Sequence, residues 1–394
     1  MKNFWLLVGF EYRKLLKRKS VWIALGIICL LCAFSGSSEL FGNYYVEGKK
    51  VDSHWNMLKK DQAVSESYEG RKIDQQLLDE LAGLDAAGSS QIPDELTAFV
   101  IKVTGDDSFD ISQEELYSMR EKKLEKEWME TFKTEEEKEY LRNLDEKLEQ
   151  PFTYHYSRGY QTAADLFYTL GMMQTLLTAI CIPAIFSEDH LRKTAVLTRS
   201  SRYGRKPLFW AKMFTGLSFS VGSTVLMYPF FLIPVFAFYG TGGFQAQLQL
   251  FQPNDVWLLT AGEMFLILTG LSLVTALLHG AVAMVLGERL KSNMIPMAVM
   301  VGFLLFSALF NVPEQYRILS QIWDYVPANL LAHWGAFSDS LVPIAGHYLR
   351  EWQAAPVVYL AAAAALVGVC RRVYGRYQAE KSVDGKLCHG AEGR

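Results

Sequence analysis

Residues 186–212 read "FSEDHLRKTAVLTRSSRYGRKPLFWAK" and separate two long apolar stretches of the chain. Seven of these residues are basic: Arg192, Lys193, Arg199, Arg202, Arg205, Lys206 and Lys212. Membrane proteins concentrate lysine and arginine in their cytoplasmic loops, so this break predicts how the chain is oriented. The apolar stretches on both sides predict helices that cross a bilayer.

Six segments of the 394-residue chain approach the roughly 20 apolar residues that a membrane-crossing helix needs. They are residues 20–38, 164–186, 213–239, 257–284, 294–312 and 354–373. The predicted fold class is an all-α polytopic membrane protein with six transmembrane helices. Transmembrane helix 1 is residues 20–38, and the other five helices lie in a region of residues 164–373.

Lysine and arginine divide unequally between the two sets of connecting segments. Twenty-one of them lie before the first span, in the 187–212 break, in the loop after the fourth span and at the C-terminus. The two loops of the other set hold only Arg317 and Arg350. This asymmetry predicts a multi-pass protein of the plasma membrane with both termini in the cytoplasm, including a tail at 374–394.

The first 19 residues predict an amphipathic helix at the cytoplasmic membrane surface. Apolar residues recur at steps of three and four, with Glu11 and basic residues between them. A basic start before an apolar run also fits a cleaved signal peptide. Because the apolar run begins only near Val21, we expect an uncleaved anchor.

Residues 40–162 predict an extracytoplasmic domain between the first two spans. From Glu39 to Arg158 the chain has 16 basic and 28 acidic residues, a net charge of −12. Ser112 with Glu115 and Thr134 with Glu137 match the capping-box pattern that starts a helix. We therefore expect this acidic domain to be mainly helical.

The sequence contains none of the common catalytic or metal-binding motifs. It lacks the G-x-x-x-x-G-K-[ST] phosphate loop, the H-E-x-x-H zinc motif, the G-x-S-x-G nucleophile elbow and Cys/His sets at ligand spacing. Cys29 and Cys32 lie in an apolar run and are expected to be packing residues rather than a redox pair. No catalytic residue, cofactor site, metal site or nucleic-acid partner is predicted, and the chain is not expected to be an enzyme.

Two ionisable residues fall inside predicted spans. Glu263 and His279 are candidates for a substrate pathway or a gate, because such residues are costly in lipid. Glu263 lies near the end of its span, where its carboxylate also reaches the membrane surface. His279 has the alternative role of a hydrogen bond between helices.

The whole pattern resembles the permeases of type-2 ABC exporters (ABC-2 type). An interfacial "EYRKLLKRK" helix precedes one span, a large external insert and five more spans. The break at 187–212 is similar to the coupling loop of that family, which has an acidic residue, a small residue or Thr, an apolar pair, a basic turn and a Lys entering the third span. The matching positions are Glu188, Thr194 and Ala195, Val196 and Leu197, Arg202, and Lys212. The family often has Gly-Thr where this chain has Lys193-Thr194.

The resemblance implies a permease that forms half of a translocation pathway and couples to a separate cytoplasmic ABC ATPase. ATP would then bind to that partner, and this chain would hold no cofactor. A second permease copy, identical or related, would complete the pathway in the lipid bilayer, and residues 313–353 would form short external helices. The expected ATPase-coupling residues are Glu188, Asp189, Leu191, Thr194, Val196, Leu197 and Arg202. Glu188 and Asp189 are expected to cap a short helix there.

Two other classes of protein stay open. A receptor or scaffold could use the insert to sense a ligand, although six spans exceed what an anchor needs. An intramembrane enzyme is a third reading, but the sequence shows no cluster of catalytic groups at membrane depth. Co-purification of an ATPase that contains a phosphate loop would favour the exporter over both.

Overall fold

The computed structural model describes residues 2–46, 49–131, 134–313, 316–337, 341–344 and 347–376. Most of the chain is helical. It begins with α1 (Lys2–Leu16) and α2 (Lys19–Ser35). The axes of these two helices differ by 72°. The amphipathic N-terminal segment is therefore a helix distinct from the apolar helix that follows it.

A hairpin and five helices lie between α2 and the next apolar helix. They are β1 (Asn43–Val46), β2 (Lys49–Ser53), α3 (His54–Ser67), α4 (Gln75–Ala86), α5 (Asp94–Thr104), α6 (Gln113–Glu130) and α7 (Glu135–Asp145). We call this part, with its connections up to residue 157, the insert. Thr134 and Glu137 form the complete capping box, whereas Ser112 only accepts from the amide of Glu115.

The remaining helices form the apolar bundle and its connections. They are α8 (Arg158–Cys181), α9 (Ala184–Leu191), α10 (Ala195–Ser200), α11 (Lys206–Tyr239), α12 (Ala261–Leu290), α13 (Met294–Leu309), α14 (Arg317–Asp324), α15 (Pro327–Leu330), α16 (His333–Ala336) and α17 (Glu351–Gly375). A second antiparallel hairpin, β3 (Leu341–Ile344) with β4 (His347–Arg350), precedes α17. The two hairpins correct the all-α prediction. Their strands have only four or five residues, too few to produce a clear alternating pattern.

Among the described residues, four helices are long and apolar enough to cross a membrane, counting α8 and α9 as one. The bent pair of α1 and α2 would make a fifth. Helix α13 is apolar but has only 16 residues, which is about 24 Å of helix. The coarse prediction of a multi-pass helical protein is confirmed, with four or five candidate spans.

Helix α12 lies at the centre of the bundle and contacts α8, α9, α11, α13 and α17. Small residues allow these close approaches. A Cβ at Gly287 would lie 2.4 Å from the carbonyl oxygen of Pro183, and one at Gly216 would lie 2.3 Å from the sulfur of Met284. Close contact through small residues is typical of helices that pack in membranes.

The connecting segments gather at two ends of the bundle. At one end, Arg120 of the insert donates to the carbonyl oxygens of Pro253 at 2.6 Å and Asp255 at 3.1 Å, in the connection between α11 and α12. At the other end, Asp189 of α9 pairs with Lys14 of α1, and Arg199 of α10 donates to the carbonyl oxygen of Tyr374 in α17. The insert therefore contacts the connection between α11 and α12, whereas α9 and α10 contact α1 and α17.

Some predicted boundaries differ from the helix ends. Helix α8 begins at Arg158, inside the predicted insert of residues 40–162. Residues 313–353 contain α14, α15 and α16, but also the β3–β4 hairpin and the start of α17. The predicted tail at 374–394 lies, from residue 377 onward, outside the described residues.

Candidate functional site

The basic break folds into two short helices between α8 and α11. Proline at position 183 cannot donate a backbone hydrogen bond, and α8 ends just before it. Helix α9 ends where Lys193 adopts a left-handed backbone with φ of 56°. The amide of Thr194 then donates to the carbonyl oxygen of Asp189 at 2.9 Å. This turn redirects the chain into α10.

A group of four charges, three of them buried and Lys14 partly exposed, joins this segment to α1 and α11. Lys212 of α11 is fully buried, and its ammonium lies 2.9 Å from the Asp189 carboxylate and 3.4 Å from that of Glu11. Lys14 pairs with the same two carboxylates at 3.1 and 3.4 Å. The Lys212 ammonium also donates to the carbonyl oxygen of Ile185. We call these four residues the Lys212 cluster; its formal charges balance.

A second group, the Glu288 cluster, joins the same segment to α12 and α17. Glu288 is buried and accepts from the Arg199 guanidinium at 2.8 and 2.9 Å, and its carboxylate lies 3.1 Å from His190 Nε2. The guanidinium lies 4.0 Å from the ring centroid of Tyr374. The Tyr374 hydroxyl donates to the carbonyl oxygen of Gly204 at 2.7 Å. Asp189 and His190 are adjacent, so α9 takes part in both clusters.

These anchors leave three apolar side chains of the segment exposed. Leu191, Val196 and Leu197 are 55%, 47% and 72% exposed. We call these three residues the coupling ridge. Basic side chains on its borders are exposed as well: Arg192, Lys193, Arg202, Arg205 and Lys206. An apolar patch with a charged rim at the end of the bundle has the character of a protein-binding surface.

Glu188 and Asp189 do not have the helix-capping role that was predicted for them. Glu188 and Asp189 lie in the last turn of α9 and do not cap a helix N-terminus. Glu188 forms an ion pair with Arg192 at 2.5 Å, whereas Asp189 is buried in the Lys212 cluster. The capping prediction is wrong because α9 continues directly from the bundle, so its acidic residues are near its C-terminal end.

Two further predicted coupling residues lie beside the ridge. Thr194 precedes α10, but its side chain makes no capping bond there. Its hydroxyl donates instead to the carbonyl oxygen of Asp189 at 3.4 Å. Arg202 is exposed, and its guanidinium lies 5.7 Å from the ring centroid of Tyr203. The seven predicted coupling residues are all within residues 188–202, but Asp189 is buried in the Lys212 cluster and is not part of the exposed surface.

The two intramembrane candidates lie apart from this region and from each other. Glu263 is exposed in the first turn of α12 and forms a capping box with Thr260, with bonds of 2.9 and 3.2 Å. His279 Nδ1 lies 3.3 Å from the Thr175 hydroxyl of α8. The geometry gives Glu263 a structural role in starting the helix and gives His279 the hydrogen bond between helices that was its alternative role.

Sequence reasoning missed the partners of the charged residues. Glu11 and Lys14 were assigned to the polar face of an amphipathic helix, and Glu288 was not singled out. A single acid among the basic residues of α1, and another in "GERL" at the end of an apolar helix, were the available signals. The pairings themselves required the helix packing.

In the described part of the chain, no group of three or more His, Cys, Asp or Glu side chains is placed to hold a metal ion. Comparisons with protein-family profiles, curated proteins and solved structures gave no match. The arrangement of these residues and the sequence pattern described above are the basis for a function.

Proposed function

We propose that this chain is the permease subunit of an ATP-driven exporter of the ABC-2 type. It forms half of a translocation pathway and couples to a separate cytoplasmic ATPase, which binds the ATP. The observation that carries the proposal is the coupling ridge, an exposed apolar surface on a segment held by two buried ionic clusters. A loop that serves only to orient the chain has no need of such anchors.

The two ionic clusters would allow this segment to transmit a displacement to the bundle. The Lys212 cluster links α9 to α1 and α11, and the Glu288 cluster links α9 and α10 to α12 and α17. A partner that pushes on the ridge would therefore act on four helices of the bundle. Packed elements transmit displacements because they are not freely deformable.

The proposal includes six spans in the plasma membrane, with α2 and α13 as the two short ones. The end that carries the ridge faces the cytoplasm, and the insert projects to the outside. Helix α1 exposes Trp5, Leu6 and Phe10, which is the pattern of a helix lying in the membrane surface. A second permease copy completes the pathway, and the chain has no active site of its own.

Removal of the ridge leucines tests the coupling. The chain carrying Leu191→Ala and Leu197→Ala should insert normally but should lose most of its associated ATPase activity in mild detergent. Truncating well-packed apolar anchors costs about 1–3 kcal/mol of binding each. Leu258→Ala is the matched control, since Leu258 is exposed at the other end of the bundle. Unchanged ATPase association in the double variant would reject the proposed role of the ridge.

A further inference from the structure

A buried carboxyl group connects the insert to the bundle, far along the chain from both ionic clusters. Glu95, in the first turn of α5, is only 6% exposed. Its Oε2 accepts from the Tyr154 hydroxyl at 3.0 Å. Its Oε1 accepts from Gln161 Nε2 at 3.2 Å and from the Ser157 amide at 3.4 Å. One side chain thus joins α5 to residues 151–157, which we call the strap, and to the first turn of α8.

Movement of the strap would reach two long helices. Gly159, two residues after the strap, packs so closely that a Cβ there would lie 2.2 Å from the carbonyl oxygen of Gly240. A Cβ at Gly243 would lie 2.3 Å from the carbonyl oxygen of Tyr156. The start of α8 and the end of α11 are therefore in backbone contact beside the Glu95 site.

The buried surroundings of Glu95 destabilise its ionised form. Burial raises the pKa of Glu95 to about 7, although the Tyr154 hydroxyl and the positive charge of Arg158 act in the opposite direction. Asp61 of α3, whose pKa is also raised by burial, accepts from the Asp94 amide at 3.0 Å. The charged and titratable groups around Glu95 are Asp61, Glu66, Asp94, Tyr154, Tyr156 and Arg158. Those that contact the strap elsewhere are Glu69, Arg71, Lys72, Tyr117 and Arg120, and His155 belongs to the strap itself.

We propose that Glu95 is a proton-operated latch between the insert and the α8 end of the bundle. In its protonated form it holds the strap, and in its ionised form it loosens the strap. A neutral carboxyl group is buried at far lower cost than a carboxylate, which explains the direction. The Tyr154 hydroxyl can donate to the carboxylate or accept from the protonated form. The latch does not depend on the exporter proposal.

The pH window follows from the difference between the two forms. In the open latch Glu95 is exposed and has the ordinary pKa of 4.5, whereas in the closed latch its pKa is about 7. Between these values the closed form binds more protons, so closure is strongest below the ordinary value. As pH rises from 4.5 to about 7, the equilibrium constant for closure falls by roughly tenfold per pH unit. Above about 7 it changes little, because Glu95 is ionised in both forms.

Hydrogen exchange of the strap in the full chain tests the latch. Peptides covering residues 151–161 are followed in lipid nanodiscs at about pH 5 and about pH 7.5, with correction for intrinsic exchange. Wild-type protection should fall by about tenfold or more between the two conditions. Glu95→Gln should stay protected at both, because the amide imitates the protonated form. Glu114→Gln should behave as wild type; Glu114 is the second residue of α6, as Glu95 is of α5, but it is exposed.

Asp61→Asn separates the nearest competing carboxyl group from Glu95. It should keep the wild-type fall in protection if Glu95 is the group that titrates. Equal protection of the wild-type strap at both pH values would overturn the latch. So would a Glu95→Gln chain that shows the full wild-type fall.

Discussion

Lys193 is a residue with a long side chain in a backbone conformation that favours glycine. Lys193 adopts φ of 56°, a left-handed conformation that suits glycine and strains other residues. The backbone turn that glycine would favour is therefore present here with a lysine in it.

Replacing Lys193 should reveal this strain. Lys193→Gly should melt at a higher temperature than Lys193→Ala, because alanine keeps the left-handed strain of roughly 1–2 kcal/mol. Both variants lose the same charge, so alanine is the matched control. Thermal unfolding in detergent measures the difference. A glycine variant that melts at or below the alanine variant would contradict the strained turn.

At the residue scale, the role of Glu263 was local but was missed, whereas the partners of Asp189 were not local at all. Thr260-Ala-Gly-Glu263 is itself a capping-box sequence, so the role of Glu263 was present in four consecutive residues. Asp189 meets Lys212 across 23 residues and Lys14 across 175. Whether a charged residue is solvated or buried against such a partner depends on packing that no local pattern contains.

At the scale of elements, hydropathy predicted the long helices well. Every predicted span overlaps a helix, because a run of apolar residues leaves a strong signal. The short elements were less predictable. The β1–β2 and β3–β4 hairpins, and the division of the basic break into α9 and α10, depend on a few residues and their surroundings.

The contact between α9 and α12 offers a test at this scale. Gly287→Ala should destabilise the protein by about 1–3 kcal/mol, since its Cβ would meet the backbone of Pro183. It should also disturb the neighbouring Glu288 cluster. Gly270→Ala in the same helix is the control, because a Cβ there has nothing within 4 Å. Equal melting temperatures for the two variants would show that α9 does not pack on α12 as described.

For the whole molecule, the distribution of charge predicts which end faces which compartment. The structure groups the connecting segments at two ends, and the basic segments lie together at one of them. The positive-inside rule predicts that this end faces the cytoplasm. The acidic insert and the connection between α11 and α12 lie at the other end, joined by Arg120.

Single cysteines test this orientation. In a chain with Cys388 replaced by serine, Ser90→Cys in the insert should react with an impermeant thiol reagent on intact cells. Ser200→Cys, at the end of α10, should react only after the membrane is permeabilised. Both positions are exposed, and the cysteines of the described residues are buried. The opposite labelling pattern would invert the topology and remove the ridge from the cytoplasm.

The central claim, that an ATPase docks on the coupling ridge, is tested most directly by photo-crosslinking in the native membrane. A photoreactive amino acid at Leu197 should crosslink a protein that contains the phosphate-loop motif, and the same probe at Leu258 should not. Leu197 is the most exposed residue of the ridge, and Leu258 is exposed at the other end. Mass spectrometry of the adduct identifies the partner. If the Leu197 probe inserts normally and crosslinks only lipid, or a protein without that motif, the account is contradicted.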